Sequence, residues 1–213
     1  MKIKYLGHAS FMITSDAGTR IIADPYASRP DLNYGEIKES ADIVTVSHDH
    51  SDHNNVAAVR GNPRVVRGTA KVKGIEFKGI PAYHDEVKGA QRGNNTIICF
   101  EVDGIRICHM GDIGHRLSDT QVAEVGKVDI LLIPVGGFFT IDAKVASQVC
   151  DAVKPRVIIP MHFKTSKCAF PIAEVDEFLR GKKGVSRLDT SEAEFKQGAL
   201  PTTTQVIVLK PAL

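Results

Sequence analysis

Residues 41–53 read ADIVTVSHDHSDH, and this stretch decides the fold. Its first part, ADIVTVSH (41–48), is a continuous β-branched run, the mark of a strand buried on both faces. The run ends in Ser47-His48-Asp49-His50-Ser51-Asp52-His53, an HxHxDH cluster. Three histidines and two aspartates at the end of an apolar strand are donors for a divalent metal rather than a solvated turn. His48 and His50 sit two apart, so an extended backbone points both imidazoles the same way. Asp52 and His53 lie where the chain turns toward a helix and face a second position. The spacing therefore suits two adjacent metals. Imidazole with scarce carboxylate favours zinc; manganese and iron also fit such a donor set.

One loop cannot complete two sites. In an α/β sheet the other donors come from other strand ends. Three segments qualify: Ile80-Pro81-Ala82-Tyr83-His84, His109-Met110-Gly111-Asp112 and Pro160-Met161-His162. The rest of the chain supplies the strands. KIKYLGHASFMIT (2–14) and TRIIADP (19–25) read as two strands around the turn Ser15-Asp16-Ala17-Gly18. Residues 27–40 are polar and irregular, and Asn54 or Asn55 is placed to cap a short helix, VAAVR. PRVVRG and VKGIEFKGIPAYH read as strand material. TIICFEV and IRICHM flank Asp103-Gly104, the strongest short hairpin signal, which pairs Glu101 with Arg106 and Cys99 with Cys108. Helices are expected over 118–125 (Ser118 as cap), 142–153 and 171–180, alternating with the strands VDILLIPV, RVIIPMH and TTQVIVLK. The expectation is a layered α/β domain, helices outside and sheet inside.

Composition narrows the function classes. The 213 residues read as one domain, 1–213, with apolar residues at 43% and charged residues at 24%, which excludes wholesale disorder. A net charge of +2 gives little field for steering nucleic acid. No apolar run approaches the ~20 residues of a membrane-spanning helix. The start lacks the apolar core of a signal peptide, so a cytoplasmic location is expected. Cys99, Cys108, Cys150 and Cys168 show no zinc-knuckle spacing and are expected as free thiols. Nothing in the sequence reports the oligomeric state.

SHDHSDH, then His84, then the GD of HMGD, then IPMH resembles the motif series of the metallo-β-lactamase superfamily. LGHASFMI, the ADP after the second strand, and VDILLIPVGGFFTID are similar to the small metal-dependent hydrolases related to L-ascorbate-6-phosphate lactonase. The resemblance implies a four-layer αβ/βα sandwich with metals at one edge. It assigns His48, His50 and His84 to the first metal and Asp52, His53 and His162 to the second, with Asp112 bridging. It makes Asp52 the group that carries a proton to the leaving group. Asp24 resembles a buried acid that supports the metal loop. His8 resembles a pocket-edge histidine. Arg92, His115 and Lys164 flank the motifs as candidate substrate contacts, Arg92 being suited to a bidentate anion. His109 reads as structural, and Phe138-Phe139 reads as core.

The implied activity is hydrolysis of an ester, lactone, amide or phosphoester of a small substrate by a metal-bridging water. Two divalent ions would make a near-neutral chain locally cationic, which favours an anionic or strongly polar substrate. Three rivals stand beside it. Di-iron relatives place Glu where this chain has His50. Nuclease and phosphodiesterase branches carry large substrate additions for which 213 residues leave no room. A non-enzymatic metal-binding module would have lost some of the ligands that are intact here.

Overall fold

The computed structural model describes residues 1–213. Two mixed sheets face each other. The strands are β1 (Lys2–Gly7), β2 (Ser10–Thr14), β3 (Arg20–Ala23), β4 (Ile43–Thr45), β5 (Arg64–Val66), β6 (Ala70–Val72) and β7 (Ile75–Tyr83), followed by β8 (Asn94–Val102), β9 (Ile105–His109), β10 (Ile130–Pro134), β11 (Val157–Met161), β12 (Val185–Arg187), β13 (Glu192–Glu194) and β14 (Gln205–Val208). The helices are α1 (Asp119–Val125), α2 (Ala143–Val153) and α3 (Val175–Leu179). One sheet runs β13-β1-β2-β3-β4-β5 and the other β12-β14-β11-β10-β9-β8-β7-β6. This is the expected α/β sandwich. No helix is long and apolar enough to cross a membrane.

Period-2 alternation builds two cores. Ile21 and Ile43 point into the main core between the sheets, whereas their neighbours Ile22 and Val44 point into a second cluster on the outer face. Tyr26, Leu32, Tyr34 and Ile37 cover that outer face, so the irregular segment 27–40 serves as a packing layer. The helix expected at VAAVR is a single 3-10 turn, Val56–Ala58, with no side-chain cap, and the chain turns away at Gly61.

The first strand expected over 2–14 is two strands. The chain reverses at Gly7 (φ 141°) and His8 (φ 56°), pairing Gly7 with Ser10. A Cβ at Gly7 would lie 2.6 Å from the Tyr34 ring, so close approach as well as backbone demands glycine there. The hairpin at Asp103-Gly104 has the expected register, Cys99 opposite Cys108 and Glu101 opposite Arg106. Both turn residues adopt positive φ, as a two-residue hairpin requires. The two thiols are unlinked, with sulfurs 2.9 Å apart.

Helix α1 carries a capping box. Ser118 Oγ accepts from the Gln121 amide at 3.2 Å, and the Gln121 side chain accepts from the Ser118 amide at 3.0 Å. Helix α3 is shorter than the expected 171–180. Residues before it run extended because Ala173 donates to Gly136 and accepts from Lys164. Strand β13 joins β1, so the polar segment after α3 crosses from one sheet to the other.

Candidate metal centre

The site lies where strands of both sheets end. The reversal after β1 delivers His8, the end of β3 delivers Asp24, and β4 opens into the HxHxDH loop. From the other sheet, β7 ends before His84, β9 before Asp112, and β11 before His162. His8, Asp24 and His162 all hold positive φ, at 56°, 44° and 50°. Such backbone is uncommon for these residues, and it clusters where packing over-determines a functional geometry.

Asp112 Oδ2 is the centre. It lies 3.1 Å from His53 Nε2, 3.2 Å from His84 Nε2, 3.3 Å from His162 Nε2 and 4.0 Å from His48 Nε2. His48, His50 and His84 bring their donor atoms together on one side of it, and Asp52, His53, His162 and His8 on the other. Buried polar atoms are nearly always paired. Here six are not: His8 Nδ1, His48 Nε2, His53 Nε2, His84 Nδ1, Asp112 Oδ1 and His162 Nδ1. All six belong to this cluster. His48 Nε2 and His53 Nε2 among them point at Asp112, and a divalent cation fits these together with the Nε2 atoms of His84 and His162 and the carboxylate.

A second ring of contacts orients the first. Asp24 Oδ2 accepts from His53 Nδ1 at 2.8 Å and from the Ser47 hydroxyl. Ser47 Oγ in turn accepts from His48 Nδ1 at 2.9 Å. Both imidazoles are thereby held with Nε2 turned toward Asp112. Asn95 accepts from the Asp112 amide at 2.9 Å and donates to the Met110 carbonyl. Gly111 sits against Asn95 and Ser47 at positive φ, with no room for a side chain. His109 spends both nitrogens on backbone, donating to the Ala9 carbonyl and accepting from the Gly111 amide.

Charge follows from burial. His48 is pushed down to about 3 by burial and by neighbouring His53. His8 is pushed down to about 4 by burial and His162, and burial lowers His50 as well. Burial works to raise the two carboxyls, but His8 and His53 hold Asp52, and His162 and His53 hold Asp112, well below the usual range. Burial opposes the charge on His53 too, yet Asp112 and Asp24 keep its pKa well above that of a free imidazole. Near neutral pH Asp52 and Asp112 are thus ionised and His8, His48 and His50 neutral, the forms that bind metal, while His53 holds a proton between Asp24 and Asp112 that a metal would displace.

A cavity of about 660 Å³ opens onto the cluster, a size suited to a small molecule. Its floor carries His50, Asp52, His84, Asp112 and His162, and Arg92 stands in its wall. The other flanking candidates are placed differently. His8 is 1% exposed and sits behind Asp52, with Nε2 3.3 Å from Asp52 Oδ2, rather than at the pocket edge. His115 accepts from the Tyr83 amide and donates to the Arg116 carbonyl, outside the cavity lining. Lys164 donates to the Phe170 carbonyl at 2.7 Å and also stays outside. The Phe138-Phe139 pair is not core: Phe138 is 63% exposed and Phe139 lines the cavity. Arg29, Asp31, Ser51 and Phe170, unmarked in the sequence, complete the walls.

Comparison with known proteins identifies the family. Residues 2–162 match the family model described as "Beta-lactamase superfamily domain". The chain belongs to the metallo-β-lactamase superfamily. Among curated relatives, a UPF0173 metal-dependent hydrolase of Carboxydothermus hydrogenoformans is 32% identical over 84% of this chain and 90% of its own length. Another of that description, from Thermococcus onnurineus, is 29% identical over 99% of this chain and 97% of its own. Among solved structures, a proposed zinc-dependent hydrolase of this superfamily from Thermotoga maritima superposes with a TM-score of 0.80 at 37% identity, covering 98% of this chain and 97% of that one. These matches define the superfamily and metal-dependent hydrolases as its relatives.

Proposed function

We propose that this chain is a dinuclear metal-dependent hydrolase, zinc favoured, acting on an ester, lactone, amide or phosphoester of a small polar substrate. One observation carries the reading: a single buried carboxylate oxygen, Asp112 Oδ2, lies within 4.0 Å of four imidazole nitrogens drawn from two donor sets. His48, His50 and His84 would hold one ion; Asp52, His53 and His162 the other; Asp112 would serve both. Ions held there would supply an acidified water near neutral pH and polarise the oxygen of the bond under attack. Asp24 and Ser47 hold the imidazoles of His53 and His48 in place for that task. Asp52 has one oxygen against His8 Nε2 and faces the cavity, so its carboxylate would take up the proton released by the attacking water and pass it to the leaving group. Arg92 and the apolar cavity wall orient the substrate.

The test is turnover of chromogenic esters, lactones, anilides and phosphodiesters by protein loaded with zinc or manganese. The expected result is metal-dependent hydrolysis of at least one class, lost on chelation and in His50→Ala. Fully metal-loaded protein that hydrolyses none, or His50→Ala with undiminished turnover, contradicts the proposal.

A further inference from the structure

The cavity wall above the metal cluster is built around two phenylalanines and two arginines. Phe139 and Phe170 meet edge to face with centroids 5.4 Å apart. The Arg29 guanidinium lies over the Phe170 ring at 5.3 Å, and the Arg92 guanidinium over the Phe139 ring at 5.7 Å. The two cations differ in what neutralises them. Arg29 is ion-paired with Asp31 at 2.8 Å and donates to Ser51. Asp31 itself faces the cavity. Arg92 has no carboxylate within ion-pair distance, and its guanidinium lies against the Phe139 ring. The wall thus carries one uncompensated positive charge beside an apolar surface.

Arg92 is also held by a dedicated device. The Asp85 carboxylate accepts from the amides of Val87, Gly89, Gln91 and Arg92 at 2.7–2.9 Å. Those four bonds shape the loop from which Arg92 projects. A planar guanidinium on a fixed loop matches a carboxylate through two parallel hydrogen bonds.

We infer that the cavity selects an amphipathic monoanion: a flat apolar body against Phe139 and Phe170, with a carboxylate on Arg92. A phosphate monoester fits less well. Its second negative charge would meet Asp31, and the cation that could answer it, Arg29, is already committed. This inference rests on the hydrolase reading for where the scissile bond lies, but not for the binding of the anion.

Two measurements separate the inference from that reading. The first compares kcat/KM of the zinc-loaded protein on 4-nitrophenyl hemiglutarate, on 4-nitrophenyl pentanoate, which has a methyl where the other has a carboxylate, and on a matched ester ending in a phosphate monoester. The carboxylate ester should be preferred over the neutral one by about tenfold or more, a charge-assisted hydrogen bond's worth. That ratio should collapse in Arg92→Ala, chiefly through KM, and be partly restored in Arg92→Lys. Asp31→Asn should improve the phosphate ester selectively. The second is calorimetric binding of 4-benzoylbutyrate, which cannot be hydrolysed, against its terminal alcohol. The acid should bind more tightly, and Arg92→Ala should remove the difference. A phosphate preference in the wild type overturns the monoanion. An acid preference that survives Arg92→Ala places the carboxylate elsewhere and overturns the role of Arg92. If no ester turns over while the calorimetric difference stands, the hydrolase reading fails and the anion site remains.

Discussion

The metal cradle and the cavity wall above it share one pocket and are built by different means. The cradle residues His48, His53, His84, Asp112 and His162 are each buried and come from the loops that open at strand ends. The imidazole Nε2 atoms converge on one Asp112 oxygen; on the far side His53 and His48 bind Asp24 and Ser47, while Nδ1 of His84 and His162 has no partner. The wall residues Arg29, Arg92 and Phe139 are half-buried, come from separate loops, and are held by one another. Under the proposed function, the cradle is the part of the pocket that carries chemistry and the wall the part that carries selection. A cradle that cannot relax holds a fixed donor geometry, while a wall made of loops accommodates different substrates on the same chemistry.

Predictions that set the cradle against the wall descend in size. Asp112→Ala removes the shared donor, so turnover should fall by at least about a hundredfold and bound metal should fall with it. A variant that keeps both would erase the distinction between cradle and wall. Metal removal comes next. A cation binds the folded cradle and not the unfolded chain, so chelation should lower Tm by about 5 °C or more at saturating metal. An unchanged Tm would mean that the cradle is held without its ions. Asp24→Asn leaves every proposed ligand in place but disturbs the bond to His53 Nδ1. Its metal affinity should fall about tenfold to a hundredfold, read by competition with a chromophoric chelator.

The wall predicts smaller effects. Asp85 is depressed in the folded chain to about 2, against 3.8 ordinarily. A depressed carboxyl contributes stability above its unfolded pKa and loses it as pH falls through the folded one. The urea midpoint of the wild type should therefore exceed that of Asp85→Asn by a constant amount above about pH 5, and the gap should shrink as pH falls toward 2. A gap independent of pH would show that the carboxylate is not what orders the Arg92 loop. Smallest of all, Lys164→Ala should change KM by less than about twofold, because Lys164 spends its ammonium on the Phe170 carbonyl outside the cavity.

What the sequence disclosed follows the same divide. The HxHxDH loop was legible because its donors are neighbours in the chain, at the end of a run of residues fit only for a buried strand. Asp103-Gly104 was legible because positive φ at two successive residues leaves little other choice. The break at Gly7-His8 was not, since LGHAS alternates well enough to pass for continuous strand and only the Tyr34 ring reveals why glycine is required. Ser47 and Asn95 carried no signal: a serine beside a histidine and an asparagine opening a strand are ordinary until their partners are known. Segment 27–40 read as polar and irregular because Leu32, Tyr34 and Ile37 follow no helical or strand period, although all three are buried. Phe139 and Phe170 lie far apart in sequence, so their contact could not be read from either.

The central claim is that the unpaired donors around Asp112 form a two-ion site. Elemental analysis of protein purified without added metal, and again after loading with zinc, tests it most directly, with Asp112→Ala measured alongside. The account predicts about two ions per folded chain after loading and a loss of at least one in the variant. A folded wild-type chain that takes up no zinc, or a variant that holds as much metal as the wild type, would contradict it.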